Sequence, residues 1–527
     1  LLFSCARVGA PNGGTRDSLA PKFLGSNIDT TRLNVSRTVK ELRLDFDEYV
    51  MLKDFNKNFN VSPPIKKIKK VIPSNLANKY VLIQWEDTLQ ANTTYNFNFG
   101  NAIVDNNESN PLPYFNFAFS TGDKIDDLFV SGTVKDAMTL IKENQTAKDN
   151  KMVVGLYKAG ENLDYKQKPD YITKVDEENY FELNFLPKGE FVIIAFDDEN
   201  QNSVYDAGKE KVSFLKEKIT LDSTSVRGLK LKLYPSKKVV KYKESKAING
   251  GLLMTFEGNP ETVDVKSLSE ELKDFKVTHA KRSDSVNIWF DAEKSNLGGT
   301  VSKQVKLSYF TPTISDTISV SYKAVKDEFK LSNEAGNLIA PENNFVINTS
   351  LPIENLNTSS WKLESDSIAQ DFTAKISEKN PFKILVNSSF KPTKKYVLTI
   401  PKETVSSYYS SNDKSFQFQF EIDKPENYGS FTAVIKNKPT AKFWVELTNE
   451  KGEILYSQFT NASEVSFKNL KPATYIARIR VDNNGNGFWD EADFAQNIAA
   501  EDVYIFEKEI NVRPLWEIKE DWELINH

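Results

Sequence analysis

The sequence predicts an all-β chain, a tandem array of β-sandwiches, and three observations predict it. Short segments alternate apolar and polar residues at period two: Tyr95-Asn96-Phe97-Asn98-Phe99, Phe115-Asn116-Phe117-Ala118-Phe119, Val305-Lys306-Leu307-Ser308-Tyr309 and Phe416-Gln417-Phe418-Gln419-Phe420. A strand sends successive side chains to opposite faces, so each segment offers one apolar face to a core. Clusters of Asn, Asp, Ser, Gly and Pro separate these segments at intervals typical of sandwiches. Helical periodicity is rare, and Val265 to Phe275 is the best candidate for a short helix. A chain of 527 residues has room for several domains of about 100 residues each.

In chain order, the first informative residue is Cys5, the only cysteine. Leu2 and Ser4 supply the branched apolar and small residues that precede the cysteine of a bacterial lipoprotein cleavage site. The expectation is a diacylated N-terminal Cys5 anchored in a membrane, several acyl chains holding where one is marginal. Residues 6 to 20 then act as a tether.

Beyond the tether, two kinds of segment repeat. Leu89 precedes Tyr95 by six residues, and Phe115, Phe117 and Phe119 follow that tyrosine at fixed distances; Phe390, Tyr396, Phe416, Phe418 and Phe420 keep the same spacing. Leu183, Leu186, Phe191 and Asp198 likewise keep the spacing of Phe467, Leu470, Tyr475 and Asp482. The order is the same in both halves, so the chain is a duplicated two-domain unit with an extra β-domain between the copies. The expected divisions are 1–20 (signal end and tether), 21–125, 126–238, 239–332 (the extra sandwich), 333–424 and 425–527.

The second repeat ends in Asp198, Asn200, Asn202 and Asp206, and again in Asp482, Asn484, Asn486 and Asp490. Oxygen side chains at loop positions 1, 3, 5 and 9 suit a hard cation, and Ca2+ would fit. The acid at position 12 is present only in the second copy, as Asp493; the first has Lys209 there and Glu210 one later. Position 6 is Gly487 in the second and Ser203 in the first. The alternative is a turn in which these side chains cap their own backbone. In either case the role is structural.

Leu44-Asp45-Phe46-Asp47-Glu48-Tyr49-Val50, Leu89 to Tyr95, Ile103-Val104-Asp105-Asn106-Asn107 and Phe119-Ser120-Thr121-Gly122 make residues 21–125 resemble the bacterial Ig-like domain of S-layer proteins. Val130-Ser131-Gly132-Thr133-Val134 and Gly189-Glu190-Phe191 make 126–238 resemble prealbumin-like or carboxypeptidase-regulatory-like sandwiches. The run from Arg480 to Asp490, with Val512-Arg513-Pro514-Leu515-Trp516-Glu517, is similar to the end of Ig-like-domain outer-membrane lipoproteins of Bacteroidota. That resemblance implies 333–424 as a second Ig-like and 425–527 as a second prealbumin-like domain, a location at the outer membrane or cell surface, and no catalytic motif.

Composition excludes more than it suggests. A net charge of −5 argues against a nucleic-acid partner. The basic run Lys66-Lys67-Ile68-Lys69-Lys70 reads as a strand edge guarded by lysines. With His279 and His527 the only histidines, no Ser-His-Asp system has a convincing base. No pair stands out among 73 acids for glycosidase chemistry. The expectation is a non-enzyme with no small-molecule substrate: an accessory or scaffold subunit of an outer-membrane β-barrel complex, or alternatively a cell-surface binder of glycan or matrix ligands. Tryptophans scattered along the chain read as core filling.

Overall fold

The computed structural model describes residues 18–140, 151–160, 163–325, 328–334 and 336–524; Cys5 and His527 lie outside them. The regular structure of the described chain is almost entirely strand. The chain divides into two compact units, one of the described residues up to 236 with 490–500, the other of those from 237 to 489 with 501–524.

The first unit opens with a sandwich. One sheet runs Phe23–Ser26, Glu41–Leu52, Asn78–Trp85, Ile68–Ile72, with Ile103–Asp105 beside Glu41–Leu52; the other runs Asn60–Ser62, Thr94–Gly100, Phe115–Ser120. The alternation works as expected: Leu42, Leu44, Val81, Ile83 and Trp85 meet Phe97, Phe99, Phe117 and Phe119 in one core. The lysine-rich run forms the outer strand Ile68–Ile72, its lysines exposed. A single helical turn, Phe55–Asn58, precedes the Asn60–Ser62 strand.

The second sandwich of this unit pairs Leu128–Asp136 with Tyr180–Leu186 and, in parallel, with Val226–Leu233. Its facing sheet is Tyr171–Lys174, Met152–Lys158, Gly189–Asp197, Val212–Phe214, with Ile219–Leu221 beside Gly189–Asp197. The outward face of that sheet is apolar too: Val153, Ile194, Phe196 and Val212 are covered by Ala492 and Phe494 of the 490–500 segment. Phe494 packs against Tyr165, Tyr205 and Phe214.

The second unit holds three more cores, over residues 252–322, 329–422 and 431–524, Trp289 packing into the second of these. The sequence-predicted helix at Val265 to Phe275 is not formed. Asp264–Ser267 pairs instead with Lys303–Phe310 as an edge strand, Val265 opposite Tyr309. The apolar spacing there is helical only in sequence, because strand pairing with a distant segment overrides local preference. In the third of these cores, the outward face of Phe443–Thr448 carries Glu446, fully buried, which accepts from Arg478 Nη2 (2.7 Å) and from Arg480. Trp85, Trp289, Trp361 and Trp522 are buried as core fillers, whereas Trp516 is half exposed.

Candidate functional site

A cleft of about 570 Å3 opens in the first unit where its two sandwiches adjoin. The junction is held by Ser62, whose hydroxyl accepts from the N–H of Ile172 (3.1 Å), and by Thr94, whose hydroxyl donates to Asp126 (2.9 Å). Polar residues that alternate with the buried phenylalanines form one wall. Asn60 lies opposite Asn98, and Asn98 opposite Asn116, so three asparagines stand in a row across three strands.

The middle and one end of this row are fastened. Asn98 Oδ1 accepts from the N–H of Gly100 (2.9 Å), and Asn116 Nδ2 donates to the carbonyl of Tyr114 (3.0 Å). Asn116 Oδ1 is buried with no partner among the described residues, as is Asn96 Oδ1 on the same outward face. An unpaired buried acceptor costs about 1–3 kcal/mol. Tyr114 is 70% exposed at the rim and sits at φ 52°, in the left-handed region, which costs a non-glycine residue about 1–2 kcal/mol. Its N–H donates to Asn101 Oδ1 (3.1 Å).

The second sandwich supplies the facing wall. Tyr180, 39% exposed, donates its hydroxyl to Glu182 Oε2 (2.6 Å), and Asn184 Nδ2 donates to Glu182 Oε1 (2.9 Å), so both oxygens of that carboxylate are engaged. Asp176 Oδ1 accepts from the N–H groups of Glu178 and Tyr180 and closes the turn that links the two sheets. Lys174 stands in this wall with its pKa lowered, chiefly by burial. Five acids and two lysines line the cleft.

The residues expected to hold a cation form two closely matched loops. Asp198, 3% exposed, accepts from the N–H of Asn202 and of Ser203 (both 3.0 Å); Asp482, also 3% exposed, accepts from Asn486 and Gly487 (both 3.0 Å). Asn200 Oδ1 accepts from Asn202 N–H (3.0 Å), as Asn484 Oδ1 does from Asn486 N–H (3.0 Å). Asn202 and Asn486 cap Val204 and Phe488 in the same way. Asn200 Nδ2 donates to Asp206 Oδ2 (2.7 Å). Ser203 and Gly487 share a left-handed backbone, φ 61° and 82°.

The closing acids differ from those expected. Buried Glu210 accepts from the N–H of Glu199 (3.1 Å) and of Asp206 (2.8 Å), and burial pushes its carboxyl up to about 7. In the second loop the matching acid is Glu501, which accepts from Asn484 N–H (3.1 Å). Asp493 belongs instead to a separate turn, pairing backbone with Ile498 and accepting from Gln496 N–H (3.1 Å). Asp490 opens the 490–500 segment of the first unit. Among the described residues no three acidic, histidine or cysteine side chains converge as a metal-holding group. The loop oxygens are satisfied by their own backbone, yet each carboxylate oxygen keeps a second lone pair.

These observations define a multidomain β-sandwich protein with an Ig-like first domain. Residues 17–121 match the bacterial Ig-like domain family. No curated protein matches the sequence. Among solved structures, the S-layer protein SbsC is similar at 12% identity, with 94% of this chain and 67% of that chain covered and a TM-score of 0.15. The mixed-linkage glucan utilization locus protein SGBP-B of Bacteroides ovatus, solved with a heptasaccharide, is similar at 9% identity over 74% of this chain and 96% of that chain, TM-score 0.21. The pilin subunit BcpA of Bacillus cereus is similar at 11% identity over 76% of this chain and 99% of that chain, TM-score 0.14. None of these scores bears on a ligand or partner. Among the described residues no helix is long and apolar enough to cross a membrane.

Proposed function

We propose that the protein is a non-catalytic cell-surface binding protein, lipid-anchored through Cys5 in an outer membrane, whose ligand site is the cleft of the first unit. The cleft itself carries the reading: binding sites concentrate where domains adjoin, in concavities of a few hundred Å3 with a few convergent polar groups. Its walls combine strand residues such as Asn60, Asn98, Asn116 and Glu182 with turn residues such as Tyr114 and Asp176, and hydrogen bonds to neighbours hold Asn98, Asn116, Glu182 and Asp176, a frame that suits recognition. Engagement of both Glu182 oxygens supports a binding role over acid–base work. The Asp198 and Asp482 loops are proposed as Ca2+-holding turns that stiffen the strand ends from which they leave.

Protease accessibility on intact cells, combined with mild-detergent purification, tests this function. The expected result is a lipidated protein accessible from outside and recovered without a stoichiometric partner. Recovery in a fixed ratio with an outer-membrane β-barrel protein, shielded from protease, would overturn it in favour of the scaffold role.

A further inference from the structure

We infer that the cleft of the first unit takes a neutral, hydroxyl-rich glycan, laid across the Asn60–Asn98–Asn116 row between Tyr114 and Tyr180. The inference rests on the reading of this cleft as a ligand site and names its ligand class. Four observations carry it.

An asparagine amide offers donor and acceptor together without charge, and so does a sugar hydroxyl. Three amides on adjacent strands, about 4.8 Å apart, repeat that offer in a straight line. Secondly, Asn116 Oδ1 lacks a donor inside the protein. That oxygen is closed to solvent in the free protein, so a ligand hydroxyl supplies the donor only as the Asn116 side chain turns toward the cleft, and the acceptor's desolvation cost is then recovered on binding.

Thirdly, Tyr114 is held exposed in a left-handed backbone by two cleft asparagines, Asn101 and Asn116. Strain persists where surrounding contacts over-determine a conformation, and it clusters at binding sites. Here it fixes an exposed aromatic ring on one wall of the cleft, whose other wall carries exposed Tyr180, and aromatic rings match the apolar C–H faces of a pyranose. Fourthly, acids outnumber lysines along the walls, which disfavours uronic, sulfated or phosphorylated chains.

Isothermal titration of the full chain tests the inference, with neutral gluco-, manno- and galacto-configured hexasaccharides as probes. An oligogalacturonate and a lysine-rich peptide serve as charged comparisons. At least one neutral hexasaccharide is expected to bind, with both charged probes at least tenfold weaker. Tyr114→Gly is the informative variant, because glycine relieves the backbone strain while removing the ring. It should weaken binding at least tenfold with an unchanged or raised melting temperature. Asn116→Asp should weaken it by a similar factor.

Neutral binding that both variants leave intact would place the glycan elsewhere and overturn the inference. Binding of only a charged probe, sensitive to Tyr114→Gly, would overturn the glycan class while leaving the cleft a ligand site. Binding of no probe overturns the inference, and surface accessibility then decides the proposed function separately.

Discussion

The two copies of the first repeat share an interior and differ on the outside. Tyr95 accepts the N–H of Gln90 on its hydroxyl (2.8 Å) and stacks on Phe119; Tyr396 accepts that of Lys391 (2.8 Å) and stacks on Phe420. Phe97 and Leu398 occupy the same buried position. Outside, the Asn60–Asn98–Asn116 row of the first copy becomes Lys362–Thr399–Gln417 in the second. Lys362 and Gln417 are exposed, whereas Asn116 has a buried, unpaired oxygen. The shared apolar positions make the sandwich, and the outward positions are free to become a site once another wall stands over them.

The interior half of this comparison breaks with the largest effect. Phe97→Ala and Leu398→Ala should each destabilise by about 2–5 kcal/mol, through lost burial and a residual cavity. Denaturant unfolding of the full chain, followed by hydrogen exchange, should place each loss in its own unit. An equal loss in both units from either change would refute the separation of cores.

Next comes Glu210 in the first unit's loop. Its folded carboxyl titrates near 7 and the unfolded one near 4.5, so between these values the folded state binds more protons. Stability contributed by its protonation is therefore present below about pH 4.5, falls as pH rises, and is gone above about 7. In chelator, melting of the first unit should show a loss on the order of 1–3 kcal/mol across that window, which Glu210→Gln removes. Calcium should reduce the loss at neutral pH. Identical melting curves with and without calcium would sink the proposed role of both loops.

Tyr95→Phe and Tyr396→Phe sharpen the likeness of the interiors. Each leaves a backbone N–H without its acceptor, and each should cost about 1–2 kcal/mol in thermal unfolding. A cost confined to one copy would show that the repeated spacing is not a repeated bond. The smallest expected stability effect comes from moving the outer row: Asn60→Lys, Asn98→Thr and Asn116→Gln together should change stability by less than about 1 kcal/mol. The same triple change should abolish glycan binding in the titration above.

Much of this was legible in sequence, and the reason is local. Period-two alternation alone assigns Phe97 and Phe117 inward and Asn98 and Asn116 outward, because a strand has two faces and one must leave water. The repeated spacings located Tyr95 and Tyr396, and the Asp-x-Asn-x-Asn pattern located loops whose bonds span only a few residues. Features set by distant pairing were not legible. Asn60 joins the row through a strand separated from that of Asn98 by the Ile68–Ile72 and Asn78–Trp85 strands, so alternation shows its polarity but not its neighbours. Glu501 reaches Asn484 across an intervening segment, which is why the nearer Asp493 was the sequence's choice.

Sequence by itself therefore determined the all-β class, the inward residues and the two Asp/Asn turns, since each follows from the steric period of a strand or from a side chain bonding its own backbone. Tertiary structure alone decided that Val265 would pair with Tyr309 instead of coiling, that Phe494 would cover the apolar outward face of the second sandwich, and that three asparagines would face a second wall. Those outcomes depend on which surfaces adjoin, and burial rewards a pairing only after the chain has brought its partners together.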